Sequence, residues 1–206
     1  MNTTAISGKT GGMMASIRWI ASLLVLGASG CISLGGKAPA QMIGLTPAHS
    51  AAAGMTASGT LADAIVVLEP ETDRRLSVLR VPVQVDDATI AYLKDASWVE
   101  RPARLFRSLL AETIRSKGGR LVVEGAPGEA GGKVRLSGRL IDMGYDARSS
   151  SVVVRYDASR EDAGGAVSVK RFESIVRGVQ PKAEAVAPAL NEAANAVAAQ
   201  VADWVG

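Results

Sequence analysis

The chain of 206 residues has a single cysteine and a single histidine. One cysteine excludes an internal disulfide framework and every multi-cysteine zinc site. One histidine, His49, excludes two-histidine metal centres and the usual histidine-based triads. Excess charge is scarce too. The chain's 23 Lys and Arg against 20 Asp and Glu leave a formal +3, too little to argue for nucleic acid as a partner. No G-x-S-x-G, P-loop or dinucleotide fingerprint occurs. Gly131-Gly132 and Gly164-Gly165 do not open helices and read as turns, so neither cofactor nor metal is expected. Long hydrophobic runs are also missing. The strongest one, Trp19 to Leu26, ends after about eight residues, whereas a membrane span needs roughly 20.

What is present begins with a targeting segment. Residues 1–30 hold Lys9 and Arg18 and no acidic residue; the apolar run follows, and small residues Gly27-Ala28-Ser29-Gly30 lead to Cys31. This is the charged, apolar and small-residue order of a bacterial export signal. A cysteine at that junction resembles a lipobox, in which the thiol receives a diacylglycerol and becomes the mature N-terminus. Ala28 stands three residues before it, where Leu, Val or Ile is preferred. Ala38-Pro39-Ala40 is a second cleavage candidate, about a dozen residues beyond the apolar run and preceded by Lys37. We therefore expect a signal peptide over 1–30 and lipidation at Cys31. Loss of Lys9 and Arg18 leaves the mature chain near neutral. Ile32 rather than Asp follows Cys31, which by the Gram-negative sorting rule favours the outer membrane, with the protein facing the periplasm.

Residues 31–63 are rich in Gly, Ala, Ser, Thr and Pro, with Lys37 the one charge before Asp63. Composition of this kind reads as a flexible tether, and His49, inside it, has no second ligand nearby. The folded domain is expected over 64–206, beginning near Leu61. Ala64 to Leu68 reads as a buried strand. Leu79, Val81, Val83 and Val85 alternate with polar residues as in a half-buried strand, which Pro82 would place at an edge or a bulge. Thr89 to Leu93 is a further short strand after an Asp86-Asp87 turn. A helix from about Trp98 or Pro102 to Lys117 shows an apolar stripe of Phe106, Leu109, Leu110, Thr113 and Ile114; Ser97 and Glu100 have capping-box spacing, and Gly118-Gly119 ends it. Strands over 120–124, 134–140, 151–156 and 167–176 follow, the last with a phase shift that suggests a bulge near Lys170. Glycine- and charge-rich loops are expected over 125–132 and 159–165. An alanine-rich helix from about Pro188 closes the chain, its stripe formed by Leu190, Ala194, Val197, Val201 and Trp204. The predicted fold is α/β in composition and α+β-like in layout, with a mostly antiparallel sheet of about five to seven strands packed by two main helices.

Chemistry-bearing residues are few. Glu100, Asp142 and Asp157 are the nominal candidates for an enzyme working with carboxylates alone. Arg101, Arg104, Arg107 and Arg115 line the non-apolar side of the first helix, either as contacts for phospholipid headgroups or an acidic partner, or as a solvated face. Trp98 and Trp204 read either as interface anchors or as core packing at helix ends.

The stretch Val83 to Gly119, with Ile90-Ala91-Tyr92-Leu93, Ala96-Ser97-Trp98-Val99-Glu100, Pro102 and Leu105 to Leu110, resembles the ABC-type transport auxiliary lipoprotein components. The alanine-rich ending Ala193 to Trp204 and the lipobox at Cys31 also resemble that family. Ile43-Gly44-Leu45-Thr46-Pro47 keeps the Leu and Pro of its Y-x-L-x-P element and lacks the Tyr. The resemblance implies a non-enzymatic subunit of an MCE-type (mammalian-cell-entry domain) ABC transport system that moves phospholipid or other hydrophobic cargo across the periplasm. Its implied partners are an MCE-domain protein with its ABC permease and ATPase, the membrane through the N-terminal lipid, and further copies of itself; Trp98, Arg101 and Arg104 are the contact candidates. An envelope assembly or scaffold lipoprotein outside transport is the alternative.

Overall fold

A computed structural model describes Met1, residues 41–125 and residues 132–206. The expected signal peptide, Cys31 and most of the loop expected over 125–132 lie outside the described residues. The expected α+β layout is observed, with a larger and mixed sheet of eight strands and two helices on one face.

The spine is β8 (Val134–Asp146), which pairs along one edge with β9 (Ser151–Asp162), itself paired with β10 (Val167–Arg177), both antiparallel. Along its other edge β8 takes three short strands in succession, all parallel: β2 (Ile65–Leu68), β3 (Glu71–Thr72) and β4 (Pro82–Gln84). Strand β5 (Ile90–Tyr92) pairs with β4, and β7 (Val122–Gly125) lies parallel to the far side of β2. The link from β2 to β7 is a crossover through helix α1 (Pro102–Ser116), as a parallel pair requires. All four residues of β2 are buried, the continuous apolar run of a strand covered on both faces. A separate pair is formed by β1 (Gln41–Ile43) and β6 (Ala96–Trp98).

Helix α1 buries the expected stripe, including Phe106, Leu109, Leu110 and Ile114. Its start is set by Pro102 in the first turn, which needs no N–H there. The Ser97–Glu100 capping box does not form, because Ser97 belongs to β6. Gly118 and Gly119, at φ +75° and +77°, end the helix. Helix α2 (Ala183–Val205) starts five residues earlier than predicted, with Pro188 inside it. Ala189, Ala193, Ala194, Ala198 and Ala202 are buried there and let the helix approach the sheet closely.

Four expectations about the strands are corrected. Leu79 and Val85 are exposed, so the alternation around Val81 and Val83 is carried by only a three-residue strand. Pro82 is the first residue of β4, where a missing N–H is tolerated, and β4 lies between β8 and β5 rather than at an edge. No bulge interrupts β10: its register with β9 is continuous, and the apparent phase shift arises because Val167 and Val169 are exposed. The bulge sits in β8, between Leu140 and Asp142. There Arg75 Nη2 donates to the Ile141 carbonyl at 2.6 Å, a group at the bulge, and to the Asp142 carboxylate at 2.7 Å. Strand β9 also runs through Ser159 to Asp162, which composition assigned to a loop.

The tether reading is corrected over 41–63. Ile43 is buried against Trp98, and the segment beyond it is held to the helices. Thr46 N donates to Asn191 Oδ1 at 2.8 Å, Ala48 N to Asn195 Oδ1 at 2.7 Å, and Asn195 Nδ2 back to the Thr46 carbonyl at 2.9 Å. Polar side chains on α2 thereby supply the backbone partners that a segment poor in large apolar residues cannot find by burial. Ala51 N donates to Glu112 Oε1 at 2.8 Å, and this bond is the main cause holding the Glu112 carboxyl below its ordinary 4.5. A depressed carboxyl stabilises above its unfolded value and ceases to do so as pH falls through the folded one. Replacing Glu112 by alanine is expected to raise hydrogen exchange at Ala51 by about fivefold, the effect of about 1 kcal/mol. Acidifying the wild type below the ordinary value should likewise lower the protection of Ala51 relative to its intrinsic exchange rate at that pH. Unchanged protection of Ala51 in both cases would show that the segment is held by other means.

Candidate docking surface

The arginines of α1 do not form a free cationic patch. Arg101, Arg104 and Arg107 converge on Glu69, each with a nitrogen 3.8 Å from its carboxylate. Arg104 also pairs with Glu100 at 3.1 Å, Arg107 with Glu124 at 3.0 Å, and Arg115 with Glu112 at 3.0 Å. Four arginines thus meet four glutamates, and the network is neutral. Arg101 and Arg104 keep about half of their side-chain surface, 49% and 48%, open to solvent. Their guanidinium donors can be shared with an incoming acceptor without first being unburied.

Beside them lies exposed apolar surface. Met42 on β1 pairs in register with Ser97 on β6; the Trp98 amide donates to the Leu79 carbonyl at 2.9 Å, and the Val99 amide to Ile43 at 3.0 Å. Met42 and Leu79 thus lie on two segments that each bond to the β6 segment leading to Val99, and all three are exposed, at 63%, 46% and 48%. Apolar residues gathered next to a polar rim are the ordinary composition of a protein contact surface. Trp98 is not part of it. Its side chain is wholly buried in the core, so it serves packing and offers no surface to a partner. Trp204 is half-buried, with its ring 5.6 Å from that of Phe172.

The carboxylate candidates for catalysis are far apart in role and all paired. Glu100 accepts from the Arg101 amide at 2.8 Å, the main cause that holds its carboxyl below the usual range. Asp157 is gripped by Arg171 through two bonds of 2.6 Å, which lowers it likewise. Asp142 lies between Arg75 and Arg155. A general acid needs the opposite shift, upward towards neutrality. Asp86 caps its own turn by accepting from the Ala88 and Thr89 amides at 2.9 and 2.8 Å, as the sequence predicted. His49 is exposed, and no cluster of three metal-ligating side chains occurs among the described residues. A groove of about 390 Å³ beside the β8 bulge is lined by Arg75, Asp142, Asp146, Arg148 and Arg155, charges that are already paired with one another or with neighbouring acids.

Proximity of Glu69 to three arginines was not legible in the sequence, where Glu69-Pro70 reads only as the end of a strand. Met42 and Val99 are likewise joined only by the parallel β1–β6 pairing.

Two helices pack on one face of a mixed sheet, an exposed apolar patch lies beside the α1 arginines, and Glu100, Asp142 and Asp157 are ion-paired. The chain belongs to the ABC-type transport auxiliary lipoprotein component family, whose model matches residues 45–202. Similar folds occur in a DUF330-family protein from Xanthomonas campestris, with TM-score 0.65 and 13% identity, over 80% of this chain and 94% of that one. An uncharacterized protein of known crystal structure matches with TM-score 0.60 and 13% identity, over 71% of this chain and 95% of that one. At such identity the likeness establishes the fold alone. No curated protein matches the chain. Among the described residues no helix is long and apolar enough to cross a membrane.

Proposed function

We propose that the chain is a non-enzymatic, lipid-anchored docking subunit of an MCE-type ABC transport system. Acyl chains on Cys31 hold it in the inner leaflet of the outer membrane, and two or more chains suffice for stable anchoring. Residues 31–40 are the tether. The domain from Gln41 onward faces the periplasm and presents Met42, Leu79 and Val99, rimmed by Arg101 and Arg104, to the end of a periplasmic MCE assembly. The cargo is phospholipid or another hydrophobic molecule, and ATP hydrolysis belongs to a separate subunit. The observation that carries this reading is the family match over 45–202, to which the ion-paired state of the candidate carboxylates adds support.

Tagged protein purified from native membranes tests it. The expected result is co-purification of an MCE-domain protein with its permease and ATPase, lost in a Met42→Glu, Val99→Glu variant that still reaches the membrane. Cys31→Ser should release the chain from the membrane fraction and remove the acyl mass. Recovery of envelope assembly components instead, with no transporter subunit, would favour the scaffold alternative. A mature N-terminus at Gln41 would sink the anchoring mechanism.

A further inference from the structure

Strand β10 is the free edge of the large sheet: β9 covers one side, and among the described residues no strand pairs with the other. It is long, 11 residues, and its first five residues are all exposed. A long open edge carrying apolar side chains is a template for another strand. Val167 and Val169, 61% and 71% exposed, lie on the face turned away from the helices, together with Arg171, Glu173, Ile175 and Arg177. Phe172, on the opposite face, is buried against α2.

We propose that β10 pairs antiparallel with β10 of a second copy of this chain, about a two-fold axis at Phe172, to form one continuous sheet. A two-fold contact is self-complementary, so the strand must match its own reverse. Centred on Phe172, it does. Arg171 faces Glu173 of the second copy and Glu173 faces Arg171, while Val169 and Ile175 face each other twice. Lys170 meets Ser174 and Val167 meets Arg177, so no like charges oppose. Shifting the register by two residues in either direction places Arg171 against Arg171 or Glu173 against Glu173. Directly opposed like charges destabilise a strand pair. A one-residue shift would turn the outward face of one copy inward. Charge complementarity therefore selects this register among its neighbours.

The intramolecular charges fit the same pattern. Asp157 already holds Arg171, and Arg155 bridges Asp142 and Glu173. Across the axis the ladder continues with alternating sign, from Asp157 through Arg171 to Glu173 and Arg155 of the second copy. Arg171 and Glu173 are thus held extended before association, which lowers the ordering cost of binding. The inference does not rest on the transport reading.

Sedimentation equilibrium of the full chain in density-matched detergent tests it. The wild type is expected at the mass of two chains. Val169→Lys, at an exposed position, should raise the dissociation constant by at least about tenfold with an unchanged circular dichroism spectrum. Arg171→Glu alone and Glu173→Arg alone should each be monomeric, yet form a mixed dimer when combined, because each then faces its opposite charge. A monomeric wild type would overturn the proposal. So would an assembly indifferent to Val169→Lys, reversal variants that do not combine, or an edge occupied by a different envelope protein while the chain alone stays monomeric. Loss of transporter co-purification with the dimer intact would count against the transport reading and leave this one standing.

Discussion

Alanine at Gly138 is expected to destabilise the domain by about 3 kcal/mol or more, through a backbone clash that no rotamer relieves. Gly138 lies on β8 opposite Ala158 of β9, with φ of +145°. A Cβ there would overlap the Asp157 carbonyl oxygen and sit 2.9 Å from the Tyr156 hydroxyl and 3.0 Å from the Ala158 Cα. The missing side chain makes room for Tyr156, whose hydroxyl donates to the Ser137 carbonyl at 2.6 Å. Burial pushes that hydroxyl above its ordinary range, so it remains a neutral donor. Alanine at 138 must push the two longest strands apart or tilt Tyr156 out of its site. Urea denaturation of the purified chain should show the loss as a lower midpoint with an unchanged slope. A midpoint within experimental scatter of the wild type would show that β8 and β9 can yield there at little cost.

Phe106→Ala should cost about 3–5 kcal/mol. Phe106 is fully buried on α1, with its ring centroid 5.3 Å from that of Tyr156 at an interplanar angle of 70°, an edge-to-face contact. It joins α1 to the sheet, and its removal leaves a cavity between a helix and a strand that backbone hydrogen bonds hold in place. Phe106→Leu should cost less, because most of the volume is kept. The two changes share a neighbour, so the Gly138→Ala, Phe106→Ala double variant should lose less than the sum of the single losses. Strict additivity, measured by the same denaturation experiment, would show that Tyr156 does not couple them.

Both effects centre on Tyr156, and neither was visible before the chain was folded. Gly138 reads in the sequence as one small residue within an alternating strand; the register that sets it beside Tyr156 comes from pairing over some twenty residues. The stripe containing Phe106 was legible, because a helical period of apolar residues needs only local sequence. What it packs against was not.

The candidate docking surface divides in the same way. Arg101 and Arg104 were identifiable as the polar side of α1, since charge on a helix face follows from spacing alone. Their neutralisation by Glu69 depends on β2 ending beneath the helix, a non-local event. Trp98 illustrates an ambiguous local signal: a large aromatic beside a predicted helix start reads as well for an interface as for a core, and the tertiary packing buries it. The segment over 41–63 shows the reverse, since its small and polar residues predicted a free chain. Asn191, Asn195 and Glu112 hold its backbone by hydrogen bonds that composition cannot reveal.

By itself the sequence determined the two helices with their apolar stripes, the longer strands, the buried strand β2 and the resemblance that the family match bears out. These rest on short-range periodicity or on residues adjacent in the chain. Tertiary structure alone decided which strands pair and where β8 bulges. It also decided that the arginines of α1 are neutralised and that, among the described residues, β10 is left with an open edge. Each of these depends on residues far apart in sequence meeting at hydrogen-bonding or contact distance, and periodicity within a segment carries no information about its partner.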